Sequence, residues 1–278
     1  LSIRLVRNKL AKTEALLANP RVKQLVPATL PFSEQNLKDM LAKYGLVYVK
    51  PVYGTFGKGV IRVEHHPNAD EPYAFQTGVR KTRFSDFETM FAHLNHACSK
   101  RACLIQQGIE MLRYGKRLFD LRLMVQKNPA GQWESTGLIG RLAHPRKIVT
   151  NYHNGGTPMA PDILFGPHMS QAEFKAFRKK LDSIGLAVAA ALEKRFPGIK
   201  ELGVDVAVDE KRNPWILEVN TKPDPYIFRK LKDRSIFRKI YRYCVAYGRI
   251  RPRRRRQAGR VRLTRLKKKT GTRPRAAG

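Results

Sequence analysis

Acid is scarce in this sequence: 22 Asp and Glu stand against 55 Lys and Arg, for a formal net charge of +33 over 278 residues. So lopsided a balance points to polyanionic partners. Cysteine is scarce as well. Cys98, Cys103 and Cys244 are an odd number, with no CxxC pair and no histidine at zinc-ligand spacing, which argues against a disulfide scaffold or a zinc module. No apolar run approaches the roughly 18–20 residues that span a bilayer. The first twenty residues, LSIRLVRNKLAKTEALLANP, never stay apolar long enough to make a signal-peptide core. The scattered histidines form no Ser-His-Asp or Cys-His constellation. What the chain does have is an ordinary apolar fraction, 42%, and a length suited to one large or two modest domains. It reads as a reduced, cytoplasmic protein without a membrane span.

The charge is unevenly placed. From Arg249 onward there are 14 Lys and Arg and no acid, which leaves +19 on residues 1–248. This C-terminal stretch has too few apolar residues for a core and reads as a disordered tail, a polyelectrolyte arm for nucleic acid or another acidic surface. No aromatic residue occurs beyond Tyr247, so the tail has no ring on which to stack bases. The +19 on the rest would steer a polyanion such as a nucleotide toward the folded part.

Helical patterns cover residues 2–18 and 33–44, the second between a Ser33 cap and Gly45. LVYVKP and VIRVE are strand candidates flanking GTFGKG. Ser85 and Glu88 have capping-box spacing ahead of an apolar stripe that reaches Cys98. CLIQQGIE is a further strand, and LFDLRLMVQK and WESTGLIGRLA flank the hairpin turn NPAG. Ser170 and Glu173 open a long amphipathic helix, LGVDVAV and PWILEVN sandwich DEKRN, and residues 226–247 read as one basic helix. Hairpin strands with helices between them predict an α+β fold with antiparallel sheets.

The last hairpin is the most informative. If its strands pair symmetrically, Val208 faces Trp215 and Asp205 faces Glu218, with Asn220 on the face of Glu218. Facing carboxylates repel unless a cation sits between them. Three hard oxygen donors suit Mg²⁺, with Mn²⁺ as an alternative, while a solvated face paired with lysines is the competing explanation. Lys50 ends an apolar strand just before Gly54, Gly57, Lys58 and Gly59. That loop either closes over phosphates or is a plain hairpin turn, and it is neither a Walker loop nor a Rossmann turn. Asp120 and Arg122, two apart in an alternating strand, share a face and read as a salt bridge. Arg141 and Asn151 follow on the next strand and loop, and guanidinium groups suit phosphate oxygens.

The order VYVKP, GTFGKG, LIQQGIE, FDLR, GLIGR with TNYHNGG, then GVDVAV with LEVN resembles the ATP-grasp superfamily from about Leu46 to Pro225. Within it the chain looks most like the spore-coat-associated YheC/YheD group, including its leading helix and the approach VPATLPFSEQNLKDML. Glutathione-synthetase-like and ribosomal-protein-glutamylating ligases look like more distant relatives. The resemblance implies two α+β subdomains clasping ATP: a helical lead-in (1–45), a small subdomain with a glycine-rich lid (46–105), a large subdomain with the metal site (106–248) and the tail (249–278). It implies Lys50 on the phosphates, Gln107 and Gly108 at the adenine edge through their backbone, and Asp120 beside the nucleotide. Arg122, Arg141 and Asn151 would lie near the γ-phosphate and the acceptor, with Asp205, Glu218 and Asn220 as magnesium ligands. The implied chemistry is ATP-dependent joining of a carboxylate to an amine through an acyl phosphate. A non-catalytic nucleotide-binding assembly factor and a nucleic-acid-binding protein acting through its tail are the alternatives. The sequence departs from the family in having Gln107 where many members have an acid. It also lacks most of the usual N-terminal domain and begins at Leu1, as a fragment, a processed form or the product of an unusual start codon would.

Overall fold

The structure, a computed structural model, describes residues 3–54 and 57–251. The tail expected over 249–278 therefore lies almost wholly outside the described residues. Asn8 sets the first boundary: its side chain accepts the Ala11 N–H, so α1 runs Lys9–Leu17 and does not begin at residue 2. β1 (Thr29–Pro31) leads to α2 (Glu34–Tyr44), capped by Ser33 and stopped by Gly45 at φ +68°. Then come β2 (Leu46–Pro51), β3 (Ile61–His65), β4 (Tyr73–Thr77), β5 (Arg80–Phe84), α3 (Phe87–Cys98) and β6 (Cys103–Gln107). The cap of α3 is Asp86 and not Ser85, because the Asp86 carboxylate accepts the Thr89 N–H at 2.7 Å. These strands make an antiparallel sheet in the order β1-β6-β2-β3-β4-β5. Leu37 and Leu41 of α2 and Met90 and Leu94 of α3 bury against its Val47, Val49, Val63 and Ile105.

The second sheet holds β7 (Arg113–Tyr114), β8 (Arg117–Lys127), β9 (Trp133–Leu142), β10 (Thr157–Met159), β11 (Glu201–Val208) and β12 (Pro214–Asn220), in the order β10-β9-β8-β11-β12, with β7 beside β8. α4 (Pro161–Phe165) precedes α5 (Gln171–Arg195), whose Ser170–Glu173 capping box forms as expected. Alternation along β8 divides its side chains. Leu121, Leu123 and Val125 join Leu181, Val188 and Leu192 of α5 in the core. Asp120, Arg122, Met124 and Gln126 point to the opposite face. Near Met124 and Ile139 that face is covered by α6 (Arg234–Ala246) through Ile240 and Cys244. The basic helix expected over 226–247 is broken, because Asp233 caps α6 afresh by accepting the Ser235 N–H; only a 3₁₀ turn, Tyr226–Lys230, lies before it. Among the described residues no helix is long and apolar enough to cross a membrane.

Candidate functional site

The uncovered end of that sheet face, with the edge of the first sheet opposite, encloses a cleft of about 830 Å³ including its open mouth. Its floor is a set of charges placed by strand register. Asp120 lies directly across from Arg141, and Arg122 from Asp205. The Asp120 carboxylate accepts Arg141 Nε at 2.8 Å and its terminal nitrogen at 2.6 Å. The Asp205 carboxylate accepts Arg122 at 2.5 and 3.0 Å and meets Arg141 at 3.1 Å. The expected Asp120–Arg122 bridge is thus replaced by two cross-strand pairs, because a residue directly opposite is nearer than one two positions along the same strand. Burial alone would raise the Asp205 carboxyl, but the Arg122 and Arg141 guanidiniums hold it below the usual carboxylate range. Gly203 makes room for this arrangement: a Cβ there would sit 2.7 Å from Pro223 Cβ and 3.0 Å from Arg122 Cδ.

Asp205 does face Glu218 across the β11–β12 hairpin, but not by symmetric pairing. Val208 sits opposite Pro214, Ala207 opposite Trp215 and Val206 opposite Ile216. A bulge at Leu217 then restores the 205–218 pairing. The extra residue turns Leu217 and Glu218 both toward the cleft. Glu218 is only half-buried, and among the described residues it forms an ion pair with Lys9 alone, at 3.8 Å, so its oxygens remain available to a hard cation. Asp205 already accepts three guanidinium contacts, and Asn220 lies off the cleft wall. Among the described residues no three His, Cys, Asp or Glu side chains form a metal cage. Two facing carboxylates on a cleft wall fit Mg²⁺ in its usual setting, where phosphate oxygens and water complete the shell.

The opposite wall is cationic. Lys50 at the end of β2 donates to Gln106 Oε1 at 2.5 Å. Burial pulls its ammonium down to about 8, reinforced by Lys9 and opposed by Glu218 and Asp205. Lys9 donates to the carbonyls of Pro51 and Gly54 at 3.2 and 2.9 Å, tying α1 to the glycine loop. One turn further along α1, buried Lys12 donates to the Val219 carbonyl at 2.5 Å, and burial lowers its pKa too. The motifs of the sequence do not mark Lys9, Lys12 or Gln106 as site residues. Two lysines at i and i+3 on a helix beginning with an Asn cap were the available signal for the first two.

Lys50, Gly54, Gly57, Lys58, Gln107, Asp120, Arg141, Asn151, Asp205 and Glu218 all line the cleft, with Tyr48, Ile109, Met111 and Ile148 as its apolar part. Gly57 and Asn151 approach each other from separate loops: a Cβ at Gly57 would lie 3.2 Å from Asn151 Oδ1. Arg122 is not on the wall and sits beneath it, bonded to Asp205. Gly59 is at φ +73°, and a Cβ there would be 2.6 Å from Arg101, so its place is in the turn. The N–H groups of Gln107 and Gly108 are bonded to the Ala28 and Leu46 carbonyls, both at 2.8 Å, so they offer no donor to an adenine edge. Gly108 borders a second cleft with Glu110, Asp209 and Trp215.

Comparison with known proteins agrees with this architecture. The chain is 26% identical over 231 residues to the endospore coat-associated protein YheD of Bacillus subtilis, covering 80% of this chain and 49% of that protein. To YheC of the same organism it is 24% identical over 200 residues, covering 71% and 54%. The chain thus spans about half the length of the curated relatives it matches. The ADP complex of N5-carboxyaminoimidazole synthetase from Staphylococcus aureus shares the fold at TM-score 0.51 and 12% identity, over 89% of this chain and 53% of that one. Residues 3–250 match the family described as YheC/D like ATP-grasp, and the chain belongs to that family.

Proposed function

We propose that the chain binds Mg²⁺·ATP in this cleft and joins a carboxylate to an amine. The observation that carries the reading is the charge lining one cleft: Lys50, Lys58 and Lys9 beside Gly54 and Gly57, with the facing Asp205 and Glu218 carboxylates next to them and Lys9 bridging to Glu218 at 3.8 Å. Phosphoryl transfer is catalysed mainly by positioning and charge neutralisation, and the cleft supplies both. Lys50 and Lys9 would neutralise the phosphates, while Gly54 and Gly57, without side chains, would let backbone approach them. Asp205 and Glu218 would hold a magnesium ion whose chemistry is to neutralise the phosphate oxygens. Transfer of the γ-phosphate to the acceptor carboxylate gives an acyl phosphate and ADP. Amine attack then forms a tetrahedral oxyanion, and collapse expels phosphate. Arg141, held by Asp120 at the cleft, would stabilise those oxygens, and Arg122 would act by fixing Asp205. The ADP-bound relative and the YheC/D family membership support the nucleotide, and the coat association of YheD and YheC makes a spore coat the compartment in which to seek the protein.

The test is calorimetric titration of Mg²⁺·ATP into the wild-type chain and an Asp205→Ala, Glu218→Ala double variant. We expect magnesium-dependent binding that falls by about 100-fold or more in the variant, since each lost charged contact is worth roughly 1.5–3 kcal/mol. ADP release on adding carboxylates and amines would complete the case. Absence of binding by folded wild-type protein would overturn the proposal, and binding with no turnover across a broad substrate screen would favour a nucleotide-binding assembly factor.

A further inference from the structure

The cleft explains the charges around Asp205 but not the basic surface at the other end of the same sheet face. After β12 the chain passes through the turn Tyr226–Lys230 into α6, which seats Ile240 and Cys244 on Met124 and Ile139. The outward side of α6 presents Arg234, Arg238 and Arg242 at i, i+4 and i+8, all exposed, beside exposed Arg229, Lys230 and Lys232. The neighbouring acids are engaged with other groups. Asp233 caps α6, Glu134 pairs with Lys239 and Tyr243, and Glu201 pairs with Arg249. Among the described residues none of those six cations is in an ion pair.

Aromatic rings run between the cations. The Tyr226 and Phe237 centroids are 6.0 Å apart, those of Phe237 and Tyr241 5.8 Å, and the Arg229 guanidinium lies 5.7 Å from the Phe237 centroid. Phe237 helps cover the core beneath α6, whereas Tyr226 and Tyr241 are not among the residues packed on that core, and Tyr226 is 46% exposed. An aromatic row inside unpaired cations suits a polyanion that also carries flat rings. We propose that this face binds single-stranded nucleic acid, its cations following the phosphates while Tyr226 and Tyr241 stack on bases. An acidic protein would use the cations but leave the tyrosines idle. Recognition by stacking and charge predicts weak sequence preference and strong salt dependence.

The test is fluorescence anisotropy of a labelled oligouridylate of about twenty nucleotides, spanning one or more typical single-strand sites. The full chain is compared with an Arg234→Gln, Arg238→Gln, Arg242→Gln variant and a Tyr226→Ala, Tyr241→Ala variant. Loss of three phosphate contacts should weaken binding about tenfold or more and flatten the log–log salt slope by about 2. Loss of the two rings should weaken it about fivefold or more with the salt slope unchanged. Circular dichroism and Mg²⁺·ATP calorimetry on each variant separate this proposal from the ligase reading, because neither set of residues lines the cleft. Wild-type affinity retained by the folded tyrosine variant, or by the glutamine variant, would overturn the proposal. So would polyglutamate competing as well as oligouridylate, or no binding at about 0.15 M salt.

Discussion

Strand β11 carries two buried carboxylates on one face, four residues apart, and their surroundings push them in opposite directions. Asp205 meets two guanidiniums, which hold its carboxyl low against the effect of burial. Glu201 is 0% exposed. It accepts Tyr247 Oη and Arg249 Nε, both at 2.8 Å, yet burial outweighs them and pushes its carboxyl up. The same burial pushes the neighbouring Cys244 thiol up to about 11. The Glu201 end is closed: carboxylate, tyrosine, thiol and Gln126 satisfy one another beneath α6 and fix the start of the basic tail at Arg249. The Asp205 end is open, with Arg141 shared between two carboxylates and Lys50 across the cleft. A polar cluster that is complete acts as an anchor, and one that borders a cavity can accept a ligand.

The strongest challenge to this contrast is Asp205→Asn. It leaves two buried guanidiniums short of a counter-charge and should cost about 3–5 kcal/mol in urea unfolding at pH 7. Because the folded-state pKa of Asp205 is lowered, its contribution is present above the unfolded value of about 3.9 and fades as pH falls below it. The penalty of the variant should therefore shrink in acid. Glu201→Gln keeps the shape and should cost less, about 1–2 kcal/mol, from weaker hydrogen bonds to Tyr247 and Arg249. Its pH dependence should have the opposite sign. A raised folded-state pKa makes the wild-type contribution largest below the unfolded value of about 4.3 and smaller as pH climbs through the folded one. If both penalties moved the same way with pH, the comparison would fail. The smallest effect concerns Lys50. With its ammonium titrating near 8 in the free protein, nucleotide affinity should drop by up to about tenfold between pH 7 and 9. Calorimetry in buffers of differing ionisation enthalpy should show proton uptake on binding, and Lys50→Met should abolish both signals.

Much of the fold was legible because its signals are local. The caps at Ser33 and Ser170, the NPAG turn and the alternation in FDLRLMV and GVDVAV each act over a few residues and survive in the structure. Boundaries failed where a second capping side chain competed: Asn8 displaced the expected start of α1, Asp86 took the place of Ser85, and Asp233 split the last helix. The Asp205–Glu218 pairing was foreseen, but the bulge at Leu217 that produces it was not, since a bulge is decided by how both faces of β12 pack.

By itself the sequence determined the strand and helix periods, the excess of positive charge and the order of motifs, because these depend on residue type and short spacing. Only the tertiary structure decided which arginine meets which aspartate, since Arg122 finds its partner 83 residues away by strand register. It also decided that Lys12 of the first helix reaches the Val219 carbonyl, 207 residues distant, where burial lowers its pKa. Charge and hydrogen-bonding capacity are written in each residue, but the partner and the local dielectric exist only once the chain has folded.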